Sequence, residues 1–119
     1  MVFTALSTPA DLISALTGPE GLISGSASPK IIVDCSTVSA DASSVVRAAR
    51  RSRHRVLAAP VMGNPRVVET GRMTAAVSGP RDAFDTAEPY LTMLGSGVTY
   101  VGEGELARTV KPCHNLFLA

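Results

Sequence analysis

No Gly-x-Gly-x-x-Gly phosphate loop occurs anywhere in this 119-residue chain, so the usual backbone cradle for a pyrophosphate is not encoded in it. Cysteine is scarce. Cys35 and Cys113 are the only two, too few for a disulfide framework and without metal-type spacing, so no metal site is expected. They read as buried or partly buried thiols of a reducing compartment. Excess charge is missing as well: the net charge is +1, which gives no reason to expect nucleic acid or an anionic membrane as a partner. No apolar run approaches the roughly 18 residues of a membrane span. No basic residue precedes Lys30, so a leader with a charged start is not seen, and the default location is the cytoplasm.

What is present describes one globular domain. Apolar residues make up 45% and charged residues 18%, a globular balance. A chain of this size buries about 65% of its unfolded surface, enough for one modest core. Met1 to Leu6 reads as a short strand. Thr8-Pro9-Ala10-Asp11 starts a helix, with Thr8 as N-cap, Pro9 at N1 and Asp11 near the positive dipole end. Leu12, Ile13 and Leu16 form its apolar stripe and Gly18-Pro19 ends it. Gly21 to Pro29 reads as a loop. The β-branched run Ile31-Ile32-Val33 predicts a strand buried on both faces. Ser39 caps a helix running to about Arg53. Strands follow at Arg55 to Ala59, Arg72 to Ser78 and Val98 to Val101, with a loop from Pro60 to Gly71. Gly79-Pro80 opens a helix that Pro89 is expected to break or bend. A last helix carries Lys111 and Asn115. Alternating strands and helices define an α/β class with a mostly parallel sheet.

Three small or polar segments fall where strands give way to loops or helices, the place where open α/β sheets bind ligands. They are Asp34-Cys35-Ser36-Thr37, then Ala59-Pro60-Val61-Met62-Gly63-Asn64, then Lys111 with Asn115. Ser36 and Thr37 offer hydroxyls to a ligand or to the next helix. Gly63 lets backbone N–H groups approach a carboxylate or carbonyl, although in isolation a plain turn is the stronger reading. Lys111 and Asn115 are four residues apart and share one helix face. There an ammonium and a carboxamide can hold one oxygen while a proton moves. His114 is expected to be structural. The basic run Arg47, Arg50, Arg51, Arg53, His54 and Arg55 has no interleaved aromatics and reads as a solvated outer face.

Taken together, these segments resemble the β-hydroxyacid dehydrogenase family (3-hydroxyisobutyrate dehydrogenase-like), within the superfamily of 6-phosphogluconate dehydrogenase NAD-binding domains. The resemblance rests on Asp-x-Ser-Thr at Asp34 to Thr37, Ala-Pro-Val-x-Gly at Ala59 to Gly63 and Thr70-Gly71-Arg72-Met73-Thr74. The closing Gly-x-Gly-x-x-x-x-x-x-Lys-x-x-x-Asn run spans Gly102 to Asn115. The match implies a partial Rossmann-like sheet with flanking helices and NAD or NADP as cofactor. It implies hydride transfer at the β-hydroxyl or carbonyl of a small hydroxyacid. Lys111 then matches the catalytic acid/base and Asn115 the residue that helps hold substrate. Ser36, Met62, Gly63 and Asn64 match the substrate side, where members usually carry Ser-Gly-Gly in place of Met62-Gly63-Asn64. Leu6, Ser7 and Thr37 match positions lining the nicotinamide nucleotide.

The resemblance also implies that the family's glycine-rich amino-terminal half would precede Met1 and that its helical domain would follow Ala119. Residues 1–104 are then the carboxyl-terminal part of a Rossmann-like NAD(P)-binding domain, and 105–119 begin the helix into the absent helical domain. The chain alone is expected to bind dinucleotide weakly or not at all, and a homodimer or a complementing chain is left open as partner. The alternative is a non-catalytic remnant or protein-interaction module, pairing through an exposed sheet edge and an apolar helix near Leu116, Phe117 and Leu118.

Overall fold

The computed structural model describes residues 1–19, 21–23, 29–49, 54–62, 66 and 69–110. The first helix, α1 (Pro9–Thr17), starts as its sequence dictates. The Thr8 hydroxyl accepts the Asp11 N–H at 3.1 Å, and Pro9 occupies the first turn, where no N–H is needed. Leu12 and Leu16 are fully buried, and Gly18 closes the helix by donating its N–H to the Ser14 carbonyl at 2.9 Å. The next strand, β2 (Ile31–Asp34), has Ile32 and Val33 at 0% exposure, so it is covered on both faces. Helix α2 (Ala40–Ala49) begins where the Ser39 hydroxyl accepts the Ala42 N–H at 3.2 Å; its expected extension to Arg53 lies outside the described residues.

Among the described residues six strands form one sheet. Strands β1 (Val2–Thr4), β2 and β3 (Arg55–Ala58) run parallel. Beyond β3 lies β5 (Thr74–Ser78), antiparallel to it, and then β6 (Gly97–Gly102), parallel to β5. The expected α/β class with a mostly parallel sheet and flanking helices is therefore what the chain adopts.

Two local expectations need correction. The Pro60 to Gly71 loop contains a two-residue strand, β4 (Val61–Met62), paired with β5. Ala58 lies opposite Ser78, Val61 opposite Ala75 and Met62 opposite Thr74, one uninterrupted register. The chain of β3 thus continues through Ala59-Pro60 and changes partner on the way. Ala59 gives its N–H to the Asp34 carbonyl at 2.8 Å, and Pro60, which has none to give, only accepts, from Ala76 at 3.4 Å. A proline is tolerated at that switch because no ladder donor is required there. The second concerns α3 (Arg81–Leu94): of the break or bend expected at Pro89, the break does not occur, and the helix runs through it. Phe84, Ala87 and Leu91 are all buried on one side of it, while Pro89 is exposed. Apolar burial on the core side outweighs one hydrogen bond lost on the solvent side.

The sheet separates two cores. Helix α3 covers one face, where Phe84, Ala87 and Leu91 meet Val33, Leu57, Ala59, Ala75 and Val77. On the other face α1 and α2 enclose Ile32 with Leu12, Leu16 and Val46. Beside them a short helical segment at 106–110 lies over the small residues Ala58 and Ala76 through Ala107. One register row runs across the whole sheet on that face: Thr4, Asp34, Ala58, Ser78 and Gly102.

Candidate active site

The carboxyl ends of β1 and β2 are tied together by that row. Asp34, 2% exposed, accepts through Oδ1 from the Thr4 hydroxyl at 2.8 Å and from the Ser36 hydroxyl at 2.6 Å. The same oxygen takes the Ser36 backbone N–H at 3.2 Å. Ser36 Oγ in turn accepts the Leu6 N–H at 2.7 Å, and the Cys35 N–H reaches the Thr4 carbonyl at 2.7 Å. Leu6 and Ser36 are therefore in direct contact, with Ser7 and Thr37 beside them and exposed at the sheet edge. Ser36 is itself 3% exposed. Its hydroxyl, expected to face a ligand, is engaged by Asp34 and Leu6, because a buried hydroxyl must find partners within the protein.

The other Asp34 oxygen binds Arg108, whose guanidinium also donates to the Ser36 carbonyl. Both side chains of this ion pair are almost wholly enclosed, at 1% and 2% exposure. The start of the last helix is pinned at two further points. Ser78 Oγ accepts the Ala107 N–H at 3.0 Å and donates to the Gly104 carbonyl at 2.9 Å. Arg47 reaches Glu105 at 2.5 Å and also donates to the carbonyls of Val56 and Gly104. In the Gly102-x-Gly104-x-x-Ala107 run that opens this helix, Ser78 thus takes the Ala107 N–H, and the Gly104 carbonyl is bonded by both Ser78 and Arg47.

Arg47 departs from the expected solvated face, being enclosed between α2 and the 104–108 segment, and His54 is buried at 1% exposure. Arg55 keeps to that expectation and lies exposed against Asp82. Met62 packs with Ala58, Ala76 and Ala107, which sets the lead-in of the expected substrate loop against the helix leading to Lys111. Gly63, Asn64, Lys111, Cys113, His114, Asn115 and Leu116 to Leu118 lie outside the described residues, as do Arg50, Arg51 and Arg53.

On the α3 face, a hollow of about 440 Å³ opens at the ends of the same strands. Phe3, Ala5, Cys35, Val61, Met73 and Leu94 line it, so it is mostly apolar. Burial, and next the negative charge of Asp34, push the Cys35 thiol up to about 11, against a smaller opposing pull from Arg108. It is therefore a neutral thiol and not a nucleophile at physiological pH. Among the described residues no cluster of acidic, histidine or cysteine side chains could hold a metal ion. Nor is any helix among them long and apolar enough to cross a membrane.

Neither Asp34 nor Arg108 was singled out from the sequence as a site residue. Asp34 lay inside a recognised motif. Arg108 sits 74 residues away along the chain, and only the packing of its helical segment on the sheet brings the two together.

A mostly parallel sheet with its polar loops gathered at the carboxyl edge defines a nucleotide-binding α/β domain. The chain belongs to the family of NAD-binding domains of 6-phosphogluconate dehydrogenase, matching it over residues 1–102. It is 29% identical over 119 residues to a 3-hydroxyisobutyrate dehydrogenase of Pseudomonas aeruginosa, covering 99% of this chain and 40% of that protein. The solved Mycobacterium tuberculosis 3-hydroxyisobutyrate dehydrogenase with L-serine superimposes with a TM-score of 0.86 at 25% identity, over 98% of this chain and 40% of that one. Psf3 in complex with NADP+ and 2-OPP gives a TM-score of 0.85 at 26% identity, over 97% of this chain and 42% of that one. The expected kinship with 3-hydroxyisobutyrate dehydrogenases holds, and NAD or NADP is the cofactor of this family of domains. The chain spans about 40% of the length of the first curated relatives it matches. Its Leu6-Ser7 and Ser36-Thr37 segments meet at the strand ends through the Leu6 N–H to Ser36 Oγ bond. The Gly-x-Gly-x-x-Gly pyrophosphate cradle is not in its sequence.

Proposed function

We propose that this chain serves an NAD(P)-dependent dehydrogenase acting at the β-hydroxyl of a small hydroxyacid. Residues 1–104 are then the carboxyl-terminal part of the nucleotide domain, and 105–119 begin the helix into a helical domain. The observation that carries this reading is the family match over residues 1–102, together with the paired Leu6 and Ser36 loops at the carboxyl edge. Bound NAD(P) supplies the hydride acceptor for oxidation and the donor for reduction. Lys111 takes the hydroxyl proton as the alcohol is oxidised and returns it to the carbonyl oxygen in the reverse direction. Asn115, four residues on in the sequence, holds the same oxygen. Leu6, Ser7 and Thr37 line the nicotinamide nucleotide. Met62, Gly63 and Asn64 form the substrate loop, and Ser36 contributes through the loop that its hydrogen bonds shape.

The test is nucleotide reduction by the intact gene product with 3-hydroxyisobutyrate and with L-serine. Turnover is expected with one of them, and Lys111→Ala should lower kcat by ~10²–10⁴ while nucleotide still binds. No reduction with either substrate would overturn the reading.

One observation favours a second reading, a pairing module. Among the described residues β1 bonds to β2 alone, and beside it Phe3, Tyr90 and Met93 are exposed at 38%, 55% and 82%. An open edge next to apolar surface invites another chain. Sedimentation of the intact protein decides this one: a monomer at all concentrations removes self-pairing.

A further inference from the structure

Arg108 is the most enclosed cation among the described residues, at 1% side-chain exposure, and its bonds all lead to the two cofactor-side loops. One amino group binds Asp34, and the other holds the Ser36 carbonyl. From Asp34 the connection continues to Thr4 and to Ser36, and from Ser36 Oγ to the Leu6 N–H. The guanidinium therefore touches or controls both ends of the paired edge, Leu6-Ser7 on one side and Ser36-Thr37 on the other. A trans peptide sets its C=O and N–H on opposite sides. Arg108's hold on the Ser36 carbonyl therefore turns the Thr37 N–H away from the guanidinium.

The same side chain belongs to the helical segment at 106–110, three residues before Lys111. Stability alone is a poor account of this arrangement. The Nε of Arg108 is buried without a partner, which costs free energy. Apolar side chains of similar volume commonly serve a core as well as a buried ion pair does.

We propose that Arg108 is a positioning residue: through Asp34 and the Ser36 carbonyl it fixes the nicotinamide-side loops against the helix that leads to Lys111. The inference rests on the NAD(P) reading above. It separates the two halves of the site, because Arg108 grips the cofactor loops and makes no described bond to the 61–62 lead-in of the substrate loop.

The decisive variant is Arg108→Lys in the intact gene product. A lysine keeps a charge opposite Asp34 but cannot span both acceptors with a fixed fork. The expected result is a KM for nucleotide raised about tenfold, the worth of one charge-assisted hydrogen bond. The KM for hydroxyacid should stay within about twofold, less than a fraction of one hydrogen bond. Ser36→Ala leaves the ion pair and the Ser36 carbonyl in place and removes the hydroxyl's bonds to Asp34 and to the Leu6 N–H. It is expected to weaken nucleotide binding in the same selective way, and it decides the matter if the lysine variant fails to fold. Unchanged KM values, or both rising together, would overturn the inference and leave Arg108 a fastener of the core. Fluorescence titration of the unaltered intact gene product with NADH and NADPH separates the two levels. No binding of either nucleotide would remove the functional reading and this inference with it. Binding that the variants leave intact would remove this inference alone.

Discussion

Cys35 follows Asp34 at the end of β2 and feels two opposite charges, and its titration ties the site to the stability of the fold. Burial and the nearby Asp34 carboxylate raise its thiol from 9.0 to about 11, with Arg108 opposing the shift. The folded state therefore prefers the protonated thiol, while the unfolded chain releases its proton near 9.0. That preference contributes fully below pH 9 and is lost as pH rises from about 9 towards 11, a change of about 2 kcal/mol. Urea unfolding of the protein and of Cys35→Ala across this range checks it. The native protein should lose stability faster than the alanine variant, and parallel curves would show that the thiol does not sense its surroundings. The same residue illustrates what a sequence can express. A buried or partly buried thiol was readable from the small number of cysteines and their lack of metal-type spacing. The guanidinium that counters Asp34 beside it was not, because Arg108 approaches from the far end of the chain.

At the scale of elements, the chain is most legible where local chemistry decides the outcome. Thr8-Pro9 starts a helix and Gly18 stops it, while Ile31-Ile32-Val33 forms a doubly covered strand. These depend on caps, dihedral limits and burial that a few adjacent residues carry themselves. Legibility fails where distant packing overrides a local signal. Ala59-Pro60 reads as a strand end, yet the chain continues to Met62 because β5 supplies a new partner beyond the proline. Pro89 reads as a helix breaker, yet Phe84, Ala87 and Leu91 hold α3 to the sheet on either side of it. The second case predicts a stabilising substitution. Pro89→Ala restores a backbone donor on the exposed face of α3 and should raise the unfolding free energy by about 1–3 kcal/mol. Thermal melts check this, and a lowered midpoint would mean that the proline sets a helix shape that the core requires. For the site, the loops at the strand ends were legible as motifs. Their mutual bonds were not, since Thr4, Asp34, Ser78 and Gly102 meet only through sheet register.

On the scale of the whole molecule, the sheet is unequal at its two edges and on its two faces. Strand β6 pairs with β5 and runs on into the 104–108 segment, which bonds to Ser78, Arg47 and Asp34 secure. Strand β1, at the other edge, bonds to β2 alone among the described residues and has Phe3 exposed beside it. A dinucleotide needs a cradle for its pyrophosphate, supplied in such folds by a glycine-rich turn at a helix N-terminus. The sequence holds no Gly-x-Gly-x-x-Gly turn, and in its Gly102-x-Gly104-x-x-Ala107 run the Ala107 N–H is taken by Ser78. The 119 residues on their own are therefore expected to show no saturable binding of NADH or NADPH by fluorescence titration. The gene product in its own cells should have an intact mass well above 12.3 kDa, as its relatives' lengths suggest. A heavier product that binds nucleotide, beside an inert 119-residue chain, would place the missing cradle outside this sequence. Tight binding by the 119 residues alone would mean that the paired loops of Leu6 and Ser36 hold a dinucleotide without a phosphate turn. A native product of 12.3 kDa that binds nothing would turn attention to the open β1 edge and the pairing it allows.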